Sequence, residues 1–340
     1  MVSRRLVKSA AAAGLLGLAL KRSRTVAPRV DPEAGEDLGS LHGRPLSVTT
    51  SDGATLSAEL HGPDEAAATV VMAHGYVLSD RCWHYQVKEL RRARPDLRVV
   101  TYDHRGHGRS GPAAREAATI QRLGTDLGEL VDAVAPDGPV VLAGHSMGGM
   151  TIMALAEQRP ELFGPVVKGV TFVSTSSGRL GTITYGMPGP LGPLVRAAVP
   201  WLNERAKAAE AAGKAPKSGG SARVLFGRDA SPAQVRHTLD VMAGTPAATV
   251  ANFHYSFLDH DRVAALSALR DVPVHVLVGE RDALCPVSHG RAIADALPHS
   301  RFVELAGAGH MLLLERHREV SAALLEVVEQ SLPVPAAVSR

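Results

Sequence analysis

The amino-acid sequence predicts an α/β architecture: an open, mostly parallel sheet covered by helices on both faces. Three observations carry that prediction. Short, continuously apolar runs recur along the chain, helix-period segments lie between several of them, and one long stretch, residues 177–261, breaks the rhythm. A run apolar at every position suits a strand buried on both faces, as parallel strands are. Alternation of such strands with helices is the pattern of a layered α/β sheet.

In chain order, residues 45–60 (PLSVTTSDGATLSAEL) alternate apolar and polar around Asp52-Gly53, the signal of a two-stranded hairpin. The apolar runs follow at 69–73 (TVVMA), 97–102 (LRVVTY), 140–143 (VVLA), 170–174 (VTFVS), 274–278 (VHVLV) and 301–305 (RFVEL). Between them, Ile120, Leu123, Leu127, Leu130, Val131 and Val134 recur at three- and four-residue steps, as do Val320, Leu324, Val327 and Val328. That spacing places each set on one helical face. Residues 177–261 are Gly- and Pro-rich at 178–193, helix-like at 201–212, loose at 213–221, and helix-like again near 231–243 and 247–258. Leu191, Leu194, Val195, Ala198, Val199 and Leu202 also fall at helical spacing, although Pro200 should break a continuous helix there. An insertion of this length is more than a connector. The expected organisation is a basic and apolar tail over 1–40, a core over 41–176 and 262–332, a helical lid over 177–261 and a C-terminal tail over 333–340.

The chain has 340 residues, 45% of them hydrophobic, enough to bury one large core with an appended subdomain. Its net charge of +3 is uneven: residues 1–30 hold seven Lys/Arg and no acid, leaving 30 Lys/Arg against 34 Asp/Glu elsewhere. The body therefore lacks the basic excess of a nucleic-acid binder. Within the tail, the eleven residues 10–20 are small and apolar. As a helix they would reach about 17 Å, against about 30 Å of hydrocarbon. Three readings of the tail stay open: an export signal with a paired-Arg start, an interfacial anchor drawn to anionic lipid, and a disordered basic extension. The corresponding locations are exported, membrane-associated or cytoplasmic, with peripheral membrane contact through residues 1–30 in the second. Cys82 and Cys285 are the only cysteines, too few for a disulfide scaffold or a zinc site.

Chemistry concentrates at strand ends. Gly144-His145-Ser146-Met147-Gly148 lies between an apolar run and a helix-forming stretch. A G-x-S-x-G in that context is a nucleophile elbow, in which the serine takes a strained conformation and the glycines let strand and helix approach. A serine needs a base, and the base an orienting acid, later in the chain and after later strands. Gly279-Glu280-Arg281-Asp282 follows VHVLV, and Gly309-His310 comes shortly after RFVEL. Asp282 and His310 are the candidates. After TVVMA, the turn His74-Gly75 directs the backbone N–H of Tyr76 toward the serine, where it joins that of Met147 as an oxyanion hole. Asp103, His104 and His107 sit in a Gly-rich loop and brace it by hydrogen bonds rather than bind metal, and His145 is a structural residue facing away from the cleft. Trp83, Leu191 and Leu194 are candidate substrate contacts, with packing under or within the lid as the alternative.

Ala73-His74-Gly75, the loop from Tyr102 to Ser110 (YDHRGHGRS), Gly144 to Gly149 (GHSMGG), Gly279 to Asp282 (GERD) and Gly309-His310 together resemble the α/β-hydrolase family, over roughly 44–176 and 262–332. The loops are most similar to monoacylglycerol-lipase-like and cofactor-independent esterase members. The resemblance implies an eight-stranded sheet with one antiparallel strand, a variable cap, and Ser146, Asp282 and His310 as a triad. It implies a serine hydrolase that cleaves a small-molecule carboxylic ester with an apolar acyl group, through an acyl-serine, without metal or cofactor. Thioester, amide or carbon–carbon hydrolysis, acyl transfer and perhydrolysis use the same triad and stay open, as does a non-catalytic binding role.

Overall fold

A computed structural model describes residues 33–136, 138–182, 190–213 and 225–332. The tails expected over 1–30 and 333–340, and parts of the stretches 178–193 and 213–221, lie outside the described residues. Eight strands form one sheet: β1 (Arg44–Thr49), β2 (Thr55–His61), β3 (Thr69–Ala73), β4 (Arg98–Tyr102), β5 (Val140–His145), β6 (Val167–Val173), β7 (Val274–Gly279) and β8 (Arg301–Leu305). Their order is β1-β2-β4-β3-β5-β6-β7-β8. Only β2 runs antiparallel to its neighbours; β4 to β8 pair in parallel. The hairpin expected around Asp52-Gly53 is β1–β2, with Gly53 at φ 84° in the turn.

Every residue of β3, β5 and β7 is buried, which is why these segments read as unbroken apolar runs. The pleat still sorts them by face. Val71, Val100 and Leu142 face a cluster with Leu127 and Ile152, whereas Val70, Val99 and Val141 face one with Leu90, Leu324 and Val327. The helices supplying those residues are α1 (His84–Ala93), α2 (Ile120–Val134), α3 (Met147–Gln158) and α9 (His317–Ser331). All six apolar positions predicted for α2 are buried. β8, with Arg301 and Glu304 among its five residues, is the edge strand, and none of its residues is fully buried.

Within 177–261 lie α4 (Leu191–Ala211), α5 (Pro232–Ala243) and α6 (Ala247–His254). The expectation that Pro200 breaks the first of these is corrected: α4 runs through it. Only Gly192 of α4 is buried, so water can replace the one backbone bond proline removes. α5 starts at a capping box, Ser231 with Gln234, and its Val241 joins the cluster that holds Phe226 and Leu313. α6 packs against α4 and places Phe253 beside Met147 and Met150. α7 (Val287–Ala296) and the short α8 (Leu312–Glu315) complete the described helices.

Residues 33–40, assigned to the tail on sequence, lie against α1. Tyr85 Oη donates to Glu33 at 2.5 Å, His84 Nε2 lies 2.8 Å from Glu36, and Gly39 N donates to His84 Nδ1 at 3.1 Å. Polar side chains hold this segment, so no apolar period announces it.

Candidate active site

Ser146 stands between the last residue of β5 and the first of α3, at φ 53° and ψ −116°. A non-glycine residue in such a region costs on the order of 1–3 kcal/mol and persists only where its surroundings enforce it. Here Ser146 N donates to Val173 O at 2.9 Å, while its carbonyl accepts from Gly149 N at 3.0 Å and from Thr175 Oγ1 at 2.6 Å. Close approach of helix to sheet is needed too. A Cβ on Gly148 would fall 2.5 Å from the carbonyl carbon of Ala73 and nearer still to its oxygen.

Asp282 comes just after β7 and is buried; its Oδ1 accepts from Leu284 N at 2.9 Å and Cys285 N at 2.8 Å. Its Oδ2 lies 2.8 Å from Nδ1 of His310, itself buried in the loop after β8. The carboxylate sets the Nδ1–H tautomer and leaves Nε2 with a lone pair able to take a proton. His145 ties this loop to the serine. Its Nε2 donates to His310 O at 3.0 Å, and the two rings lie 4.9 Å apart. Burial holds the His145 imidazole down at about 3, so it is neutral, and its Nδ1 has no partner.

The His74-Gly75 turn packs on the same place. A Cβ on Gly75 would lie 2.7 Å from His145 Nδ1 and 3.2 Å from Ser146 Cβ. His74 donates from Nδ1 to Gly75 O at 2.7 Å and accepts from His104 N on Nε2 at 3.0 Å; His104 Nε2 donates back to His74 O at 3.0 Å. Accepting on Nε2 requires a neutral ring, and burial holds His74 down at about 4. Tyr76 follows, its Oη donating to Val250 O on α6 and its ring 4.9 Å from that of Phe257. Met147, as first residue of α3, has an N–H with no acceptor inside its own helix.

The other residues of the loop from Tyr102 to Ser110 brace it. Asp103 accepts from Asp80 N at 2.9 Å and Arg109 N at 2.8 Å, and His107 Nδ1 donates to Arg105 O at 3.1 Å. Arg105 reaches Asp126 on α2 through two bonds of 2.6 Å and Asp52 of the hairpin turn at 2.9 Å. Among the described residues, no group of three or more His, Cys, Asp or Glu is placed to hold a metal ion. A cavity of about 450 Å³ is lined by Glu59, Asp80, Asp103 and Arg109, among others, and by none of Ser146, Asp282 or His310.

Of the candidate substrate contacts, Trp83 is fully buried in the core cluster with Cys82 and Leu90. Leu191 and Leu194 stand 50% and 64% exposed on α4. Cys82 and Cys285 are buried free thiols in different clusters. Two residues not singled out in the sequence touch the site: Thr175, on the Ser146 carbonyl, and Glu315, whose Oε1 accepts from Gly309 N at 3.0 Å. For Thr175 the only sequence signal is a run of hydroxyl residues after β6.

Comparison with known proteins bears on the family and the fold. A family profile described as the alpha/beta hydrolase family matches residues 70–323. The chain is 27% identical over 276 residues to 3-oxoadipate enol-lactonase 1 of Acinetobacter baylyi, across 80% of this chain and 92% of that one. It is 28% identical over 237 residues to monoacylglycerol lipase of Mycolicibacterium smegmatis, across 68% and 77%. A solved thermophilic esterase from Thermogutta terrifontis superposes with a TM-score of 0.66 over 86% of this chain and 100% of that one; at 23% identity the likeness is one of fold. A profile spanning most of the chain, on a sheet with this strand order, makes the protein a member of the alpha/beta hydrolase family.

Proposed function

We propose that the protein is a serine hydrolase that cleaves a carboxylic ester through an acyl-serine intermediate. The observation that carries this is the 2.8 Å Asp282–His310 pair, joined through His145 to the strained Ser146. Ser146 Oγ attacks the ester carbonyl carbon while His310 Nε2 takes the hydroxyl proton, and Asp282 holds the imidazolium so formed. The carbonyl oxygen becomes an oxyanion, met by the N–H groups of Tyr76 and Met147. Collapse breaks the carbon–oxygen bond of the ester; His310 passes its proton to the leaving alcohol and the acyl group stays on Ser146. Water, deprotonated by His310, then attacks the acyl-serine, and the proton returns to Oγ as the acid departs.

The two relatives support the ester as the bond cleaved, since a lactone and an acylglycerol are both carboxylic esters. Met150, Leu180 and Phe253, clustered with Met147 and Tyr76, favour an apolar acyl group. The test is a p-nitrophenyl ester series of increasing acyl length, together with labelling by a fluorophosphonate. Turnover and labelling are expected in the wild type and absent in Ser146→Ala. Labelling that survives Ser146→Ala would move the nucleophile elsewhere.

A further inference from the structure

Glu315 has no part in the reaction just described, yet both its carboxylate oxygens are committed beside His310. Oε1 accepts from Gly309 N at 3.0 Å, immediately before His310, and Oε2 accepts from Gly227 N at 2.6 Å. Gly227 lies within the 177–261 insertion, just ahead of α5. Two residues earlier, Leu225 O accepts from His310 N at 2.7 Å and from Met311 N at 3.2 Å. The backbones touch as well: a Cβ on Gly309 would fall 2.5 Å from the carbonyl carbon of Phe226. Gln234 of α5 adds a bond from Nε2 to Leu314 O at 2.7 Å. This segment is therefore a backrest for the loop that carries His310, and the Glu315 carboxylate bonds to both.

Burial pushes the Glu315 carboxyl up, while the Gly227 and Gly309 amides pull the other way. Two amides approaching from different segments need two acceptors on one planar group, and an ionised carboxylate offers both. Glutamine has the same shape but one acceptor, and its NH2 would face the second amide. Either Gly309 or Gly227 would then lose its partner. The Asp282 bond at Nδ1 would remain, so the ring would pivot about it and Nε2 would shift relative to Ser146.

We infer that Glu315 is a positioning residue for the reaction, clamping the loop that carries His310 to the segment of the insertion just ahead of α5. The role rests on the hydrolase reading above. The experiment titrates wild type, Glu315→Gln and Glu315→Asp to completion with a fluorophosphonate, counting competent sites, and then measures kcat per labelled site and KM for p-nitrophenyl acetate. Glu315→Gln is expected to lose about ten- to a hundredfold in kcat per site, the scale of a misplacement of a few tenths of an ångström to 1 Å. Its KM should stay within about twofold, because no substrate contact is removed. A per-site kcat equal to wild type, with the defect appearing only as fewer titratable sites or a lower melting temperature, would overturn the inference and leave Glu315 a structural residue. Should Glu315→Gln not fold, Glu315→Asp is read by the same criterion, since it keeps the charge but is one methylene too short to span both amides. A wild type that neither labels nor turns over refutes the hydrolase reading itself, an outcome distinct from a normal wild type with an unaffected variant.

Discussion

Replacing Gly148 by alanine sets helix propensity against the packing of the elbow. Gly148 is the second residue of α3 and is not among the glycines of positive φ, so its backbone can accept a side chain. Propensity alone then predicts a stabilisation of up to about 1 kcal/mol. The structure predicts the opposite. The added methyl would lie 2.5 Å from the Ala73 carbonyl carbon, whereas ordinary carbon contacts begin at 3.4 Å. Helix and strand must separate by about 1 Å to restore contact at ~3.5 Å. Overpacking of this kind costs about 1–3 kcal/mol, so the net effect is a loss of up to about 2 kcal/mol, or a few degrees in Tm. The activity should suffer more. Ala73 leads directly into His74-Gly75-Tyr76, and Gly148 is two residues from Ser146, so the separation falls between the nucleophile and one proposed oxyanion donor. A misplacement near 1 Å can cost about a hundredfold in rate. Circular-dichroism melting and kcat/KM on a p-nitrophenyl ester measure the two effects. A Gly148→Ala protein with unchanged kcat/KM and a raised Tm would refute the close-approach argument.

Two further outcomes follow from the site and its buried histidines. Ser146→Ala, His310→Ala and Asp282→Asn should each remove most ester turnover while leaving the fold intact, and Ser146→Ala/His310→Ala should be little worse than either single change; multiplicative losses would count against a triad acting as a unit. Stability should fall with acid: burial holds His74, His237 and His260 at about 4 and His107 and His145 at about 3, against ~6.5 when unfolded. The unfolded chain thus binds more protons below ~6.5, so their contribution is complete above that pH and is lost as the pH falls toward 4, each group giving about 1.4 kcal/mol per pH unit. Asp80, pushed up to about 7 by burial and by Asp103, acts in the opposite direction, as do Asp103, Asp126 and Glu315, which burial also pushes up. The histidines outnumber these acids, since burial also lowers His61, His104, His254, His275, His289 and His317. Urea midpoints that stay flat or rise between pH 7 and pH 5 would refute this balance.

The sequence by itself determined the sheet, the elbow and the candidate triad. Short apolar runs such as 140–143 (VVLA), alternating with helix-period segments, point to strands buried on both faces, and polar residues just beyond such strands, Ser146, Asp282 and His310, collect at one edge of a parallel sheet. Hydrophobic period and turn chemistry are written in windows of a few residues, so they survive without knowledge of the whole. The tertiary structure decided what depends on which backbone passes where. β8 carries Arg301 and Glu304 around Phe302 and Val303, and it is the edge strand because, among the described residues, no further strand pairs with it. Pro200 stays inside α4 because that helix is mostly solvated. The segment 33–40 is fastened by Glu33 and Glu36 to residues 48–52 positions away. Glu315 meets Gly227 across 88 residues. No local pattern marks such partners, because a carboxylate is satisfied by whichever amides the folded chain brings within reach.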